Sequence, residues 1–383
     1  MTVLEILFWL CVLLLVYAQV GYGALLALLG RLQPPVASPA PQEPAALPSV
    51  SLIIAAYQEA EVIGAKVANA LALDYPRERL EIVVACDGSP DATPALARAA
   101  GADLVLELPR GGKIRAQDAA VERAAGELVA FSDANALWEP GALRALVAPF
   151  ADDHVGYVCG QVRFVNEPAG SGATNQEGLY WRYEMWLRAM ESRLSSVTGG
   201  NGAIYATRTA SYLVVDAVMG HDLSFPFNMV KRGWRAVYAP QARATEKMVP
   251  SIEGEFSRKT RMMSHAWPIV VRGGLLSPRG YPPLYAVMIF SHRALRYASP
   301  FLHVLALLLN IALVAAGASP LYVVTLALQA VLLLAALLGG AVRARPLLVA
   351  RYYVLTTASI ATGWWSWVRH GTPAGWSPPE GTR

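Results

Sequence analysis

The chain has 383 residues, 55% of them hydrophobic and only 16% charged, with a formal net charge of +4. A soluble domain is about a quarter charged, so this composition and a mean hydropathy of +0.36 exclude a wholly soluble chain. No long basic run argues for nucleic acid, and Lys and Arg are expected to face phosphate or anionic lipid.

Cys11, Cys86 and Cys159 are far apart and form no metal spacing, which fits a reducing compartment without disulfides. Ile6 to Gly30 is an uncharged, Leu-rich run, longer than the roughly 20 residues a bilayer needs. Glu5 precedes it and no base does, so a retained helix is expected over a cleaved leader. Arg31 follows, which places the next segment in the cytoplasm. Gln33 to Pro48 is rich in Pro and Ala and reads as a linker.

Val50 to Ala56 is a buried-strand pattern followed by Tyr57-Gln58-Glu59. Glu61 to Leu73 has helical spacing, stopped by Asp74-Tyr75-Pro76. Leu80 to Ala85 is a second strand, ending in Cys86-Asp87-Gly88-Ser89-Pro90-Asp91. Asp91 to Ala100 reads as a capped helix, and Asp103 to Leu108 as a third strand. Arg110-Gly111-Gly112-Lys113 then opens a helix through Ala125. Leu128 to Phe131 is the fourth strand, ending in Ser132-Asp133-Ala134-Asn135. Strand and helix alternate with short connections, so an α/β domain with a largely parallel sheet is expected. Polar clusters follow three strands: Tyr57/Glu59, Asp87/Asp91 and Asp133/Asn135. One cluster would be a turn; three at strand carboxyl ends suggest one ligand site.

The ordered series SLIIAAYQEA, EIVVACDGSPDAT, GGKIRAQDAA and GELVAFSDAN, from about Val50 to Phe150, resembles the nucleotide-sugar half of family 2 glycosyltransferases. That family has a GT-A fold, a Rossmann-like nucleotide-sugar-binding domain. The resemblance implies that Ala55, Tyr57 and Glu59 line the base and ribose pocket and that Asp87 takes a hydrogen bond from the base. It implies that Lys113 faces the diphosphate. Asp133 and Asn135 stand at the family's Asp-x-Asp positions, for ribose and for Mg²⁺ or Mn²⁺. Gln58 stands where Asn is usual, Asp118 where Asn is usual, and Asn135 where a second Asp is usual. An amide oxygen is a weaker ligand for a hard cation than a carboxylate.

Gly156 to Phe164 reads as a strand and Asn166 to Ala173 as a loop. Glu177 to Leu194 is a helix whose aromatics favour a packed face. Ser196 to Ala206 is Gly-rich, which lets backbone approach a ligand closely. Gly220-His221-Asp222-Leu223 matches the position of the family's catalytic base. An inverting transfer deprotonates the acceptor hydroxyl, and Asp222 is the candidate; its other reading is the N-cap of a helix Leu223 to Arg232. His221 reads as a satisfied neighbour rather than a ligand. Trp234 to Ala239 is a further strand. Arg258 and Arg261 are three apart on one helical face and suit a departing diphosphate, like the family's Gln/Arg-x-x-Arg-Trp motif. Met262 replaces the Trp of processive synthases.

Trp267 to Phe290 is too interrupted to span and is expected at the interface. Ser299 to Ala316, Tyr322 to Gly340 and Leu347 to Val368 read as three spans, with Trp364, Trp365 and Trp367 anchoring the last. The expected organisation is a membrane helix (1–31), a linker (32–48), a cytoplasmic GT-A domain (49–264), interfacial helices (265–298), about three spans (299–368) and a tail (369–383). The expected function is multipass inner-membrane sugar transfer from a nucleotide-diphosphate sugar, UDP-linked, to a lipid-linked or polysaccharide acceptor. A processive synthase and a catalytically silent membrane partner are the alternatives.

Overall fold

The computed structural model describes residues 2–32, 47–165, 174–247, 252–342 and 344–375. Most of the linker expected over Gln33–Pro48, the loop Asn166–Ala173 and Arg343 lie outside the described residues.

Helices α1 (Val3–Val16) and α2 (Tyr22–Leu32) run on as one apolar helix through a π-helical turn, Tyr17–Gly21. The domain follows as β1 (Val50–Ala56), α3 (Ile63–Leu71), β2 (Leu80–Asp87), α4 (Thr93–Ala99), β3 (Leu104–Leu108), α5 (Lys113–Val121) and β4 (Leu128–Asp133). It continues with β5 (Leu137–Trp138), α6 (Ala142–Val147), β6 (Val155–Val165), α7 (Thr174–Leu194), β7 (Ile204–Arg208), α8 (His221–Lys231) and β8 (Arg235–Lys247). Then come α9 (Ile252–Val271), α10 (Pro283–Met288), α11 (Leu295–Ala315), α12 (Pro320–Leu338) and α13 (Arg345–His370).

All described strands form one sheet in the order β3-β2-β1-β4-β7-β6-β8-β5. The first four strands pair in parallel, and so do β6 and β8. β7 runs antiparallel to both β4 and β6, and β5 antiparallel to β8. The sheet is therefore mixed, with its parallel half where strand and helix alternate. The parallel strands are apolar throughout because both sheet faces are covered. Along β1, Leu52 and Ile54 enter one core with Ile82, Val84 and Ala130, while Ile53 enters the other with Val83, Val129 and Phe131.

Register decides where the polar clusters fall. Ala55 on β1 lies beside Ala85 on β2 and Asp133 on β4. Tyr57, Asp87 and Asp133 thus leave neighbouring strands at the same end, where ligands bind in open α/β sheets.

Among the described residues, three helices are long and apolar enough to cross a membrane: Val3–Leu32, Pro283–Ala315 and Pro320–Leu338. The middle one begins well before Ser299, because α10, a π-helical turn (Ile289–Ala294) and α11 are continuous. The segment expected as a last span differs. α13 is helical, but it packs lengthwise on α9: Trp267 Nε1 donates to Ile360 O at 2.9 Å and Lys259 Nζ to the Tyr352 hydroxyl at 2.7 Å. Trp367 faces Arg272 and Trp364 packs on Phe301.

The apolar helices are bolted to the domain by a buried polar junction. The Glu191 carboxylate of α7 accepts from the Tyr22 hydroxyl at 2.6 Å and from Thr198 N at 3.1 Å, and His292 Nδ1 lies 2.6 Å away. Burial opposes a charged Glu191, but His292 and Arg293 beside it hold its pKa below the ordinary value. α7 also packs on α2 and the π-helical turn before it: the Tyr183 hydroxyl donates to Gln19 O at 2.9 Å, and Met190 fills the space against Gly30.

Candidate active site

A cavity of about 530 Å³ opens at the carboxyl end of the parallel strands. Lys113 of α5 reaches it from the Gly111-Gly112 turn, and Asp133 and Asn135 enter from the end of β4. Asp222 of α8 and Arg258 and Arg261 of α9 line the same cavity. Six residues spread over about 150 positions meet there because the sheet register and two later helices bring them together.

Lys113 and Asp133 form an ion pair, and Lys113 Nζ also donates to Gly202 O at 3.4 Å. Burial works against the ammonium, but the Asp133 charge and hydrogen bond raise its pKa above that of an ordinary lysine. Beneath the Asp133–Asn135 turn lies Lys66, 0% exposed, donating to Ala136 O at 2.6 Å. Burial lowers its pKa to about 7, against the pull of Asp133 and Glu246.

Asp222 lies in the first turn of α8, and Gly220 rather than Asp222 is the N-cap. The helix starts earlier than the sequence suggested, which moves Asp222 from the cap into the cavity wall. Its backbone oxygen accepts from Gly200 N at 2.6 Å. A Cβ on Gly220 would come within 2.7 Å of Asp222 Oδ1, so glycine there leaves the carboxylate its place. His221 also lines the cavity, but it is buried: its Nδ1 lies 2.8 Å from the Tyr205 hydroxyl, and its ring stacks on Phe225.

Arg258 and Arg261 share one face of α9. Burial, and then the neighbouring Arg258, push the Arg261 guanidinium pKa down. Two crowded cations make a place where an anion is favoured. Met262, where processive enzymes carry Trp, is 42% exposed and approaches Arg258 at 3.4 Å.

The residues expected at the nucleoside are not among those lining the cavity. Tyr57 lies under the Arg110 guanidinium, whose carbon is 3.3 Å from the ring centroid. The Asp87 carboxylate is 3% exposed and accepts from Gly111 N at 2.6 Å and Gly112 N at 3.0 Å, with Arg110 as its ion-pair partner. Asp87 thus holds the Arg110–Gly112 turn. Ala55 is buried in β1, and Glu59 is 1% exposed, with its backbone oxygen starting α3. Neither of these presents itself to the opening. Arg110, like Gln117 and Glu246 of the cavity, was not singled out from the sequence; the signal for Arg110 was its place beside the Gly-Gly-Lys turn.

The glycines of Ser196–Ala206 pack mainly against protein groups. A Cβ at Gly199 would meet the Arg293 guanidinium at 2.2 Å, and one at Gly200 the Tyr157 hydroxyl at 1.9 Å. The chain after α13 returns to the site. The Thr372 hydroxyl donates to Ser264 O at 2.8 Å, and the Ala374 oxygen lies 2.0 Å from where a Gly112 Cβ would stand. Gly112, at φ 96°, accommodates both the turn and this contact.

Asp133, Asn135 and Glu246 line the cavity with oxygen donors only, the chemistry of a Mg²⁺ or Mn²⁺ site. No group of three His, Cys, Asp or Glu among the described residues could hold a metal by itself. With Asp133 paired to Lys113, these residues would hold a cation only if other oxygens, such as those of a diphosphate, completed its shell.

Comparison with known proteins gives a consistent picture. Residues 48–264 match the family model described as glycosyltransferase like family 2. An N-acetylglucosaminyltransferase of Neorhizobium galegae is 27% identical over 236 residues, 57% of this chain and 54% of that protein. A beta-monoglucosyldiacylglycerol synthase of Synechocystis is 31% identical over 171 residues, 41% of this chain and 33% of that protein. The chain thus spans about half, or less, of the length of these curated relatives. The mannosyltransferase PcManGT of Pyrobaculum calidifontis, solved with GDP-Man and Mn²⁺, superposes with a TM-score of 0.71 at 23% identity, covering 95% of this chain and 99% of that one. That likeness shows the same fold.

Proposed function

The chain belongs to glycosyltransferase-like family 2, and from that premise we propose that it is a membrane-held, inverting transferase. It moves a sugar from a nucleotide-diphosphate donor, read as UDP-linked, to a lipid-linked or polysaccharide acceptor at the cytoplasmic face. One observation carries this reading: Lys113, Asp133, Asn135, Asp222, Arg258 and Arg261 line a single cavity. The cavity also reaches Arg293 and Tyr297, on the long apolar helix Pro283–Ala315. That supports an acceptor delivered from the bilayer side.

The chemistry follows from the groups present. Tyr57 and the Arg110–Gly112 turn held by Asp87 receive the nucleoside. Lys113, Arg258 and Arg261 face the diphosphate, where charge grows as the glycosidic bond breaks. The Asp222 carboxylate takes the acceptor hydroxyl's proton while that oxygen bonds the anomeric carbon. The bonding pair of the old linkage leaves with the nucleoside diphosphate. Asp133, Asn135 and Glu246 would hold a divalent cation, which would add charge neutralisation at the diphosphate. Met262 in place of Trp speaks for single transfers over processive synthesis.

The test uses the purified full chain with a panel of UDP- and GDP-sugars, with Mn²⁺ or with EDTA. Nucleoside diphosphate release that depends on Asp222 and on the metal is expected, with mass spectrometry identifying the glycosylated product. Turnover of no donor in the panel, with or without membrane lipid extract, refutes the reading.

A further inference from the structure

Three buried polar atoms of residues that line the cavity have no hydrogen-bond partner among the described residues. Gln117 stands one helical turn beyond Lys113 on α5, so both side chains share a face. Both line the cavity, and Gln117 is 0% exposed. Neither its Nε2 nor its Oε1 has a hydrogen-bond partner among the described residues. His221, on α8, lines the same cavity and is 2% exposed. Its Nδ1 is engaged by the Tyr205 hydroxyl, while Nε2 is unpartnered among the described residues. Burial, reinforced by Lys113, keeps the ring uncharged. The large majority of buried polar groups are paired, so three orphans around one cavity call for an occupant.

Their position indicates which one. Lys113 marks the diphosphate end, and the sugar is bonded directly to the diphosphate. Gln117 lies about 5–6 Å from Lys113 along the helix face, within the space of the sugar ring. A glutamine amide offers one donor group and one acceptor, both neutral. It matches a neutral substituent that also donates and accepts, and mismatches a carboxylate. Its terminal torsion is soft, so the amide turns toward the cavity at little cost.

We infer that Gln117, with His221 Nε2, is a specificity-determining contact that reads one hydroxyl or acetamido substituent of the donor sugar. This rests on the cavity being the donor site, as proposed above. A site with a buried amide discriminates strongly against a donor lacking the matching group, because the amide is then left unpaired.

The experiment compares wild type with Gln117→Met, which keeps the length and removes the amide. Kinetics are measured for the nucleotide sugar the enzyme turns over and for its counterparts, each lacking one hydroxyl or with the acetamido replaced by hydroxyl. Wild type is expected to lose kcat/KM about tenfold or more with one counterpart. Which counterpart fails tells hydroxyl from acetamido. Gln117→Met is expected to lose a similar factor with the parent sugar and to stop separating the two. Without donor it melts at or above wild type, since an unpaired amide has been replaced by an apolar group; Gln117→Leu checks this. Unchanged discrimination in the variant overturns the inference and leaves the orphans to a buried water. Equal losses with every donor, with a lowered melting temperature, also overturn it. A wild type that turns over a sugar but treats all counterparts alike sinks this subsite alone, whereas turnover of no sugar sinks the premise with it.

Discussion

Replacing Asp222 with Asn is the most discriminating single change. The backbone oxygen at 222 keeps its hydrogen bond from Gly200 N at 2.6 Å, because that bond does not involve the side chain. Asn has the same shape and fits the space that Gly220 leaves. What disappears is the proton acceptor. General-base catalysis contributes about 10²–10⁴-fold, so kcat should fall by that range, about 3–5 kcal/mol of barrier. The proposed donor contacts, Lys113, Arg258 and Arg261, stand on other elements, so the donor KM should stay within about twofold. A carboxylate in the first turn of a helix also stabilises that helix, and its loss should cost at most about 1 kcal/mol of stability. The assay is initial-rate nucleoside diphosphate release, with a melting curve on the same preparation. A fall in kcat below about fivefold, or a rise in KM at constant kcat, means Asp222 is not the base.

Arg261→Gln should raise the donor KM about tenfold, and Arg258→Gln/Arg261→Gln together should also lower kcat, read by the same assay. Lys66 is buried with its pKa lowered to about 7, whereas an unfolded lysine titrates near 10.5. Between those values the unfolded chain binds the extra proton, so Lys66 makes the protein more stable as pH rises from about 7 to about 10. Lys66→Met should flatten this slope in melting curves across that range; an unchanged slope refutes the assignment. Ending the chain after His370 removes the Ala374 contact with Gly112 and the Thr372 bond to Ser264. If that segment competes with the diphosphate, the donor KM falls severalfold; a higher KM means the segment helps to bind the donor.

Much of the fold was legible because the parallel strands are buried on both faces and therefore spell uninterrupted apolar runs. The polar residues that end them mark the ligand edge whatever the neighbouring helices do. Asp222 was legible as a candidate, but its helix start was not: Gly220 caps the helix with backbone alone, leaving no side-chain signal. α13 misled for a related reason. It is long enough to span but is not among the three helices apolar enough to do so, and Lys259, Trp267 and Arg272 of α9 give its polar and aromatic groups partners that no local pattern reveals.

By itself the sequence determined the strand–helix alternation, the apolar ends and the residue types able to handle a sugar diphosphate, since these follow from periodicity and side-chain chemistry close along the chain. Tertiary structure alone decided that Asp87 grips the Arg110–Gly112 turn, that Glu59 is buried, that the tail returns to Gly112 and that Gln117 and His221 line one cavity. Those facts depend on register and helix packing between segments up to about 260 residues apart, and contacts at such separation are set by how surfaces fit.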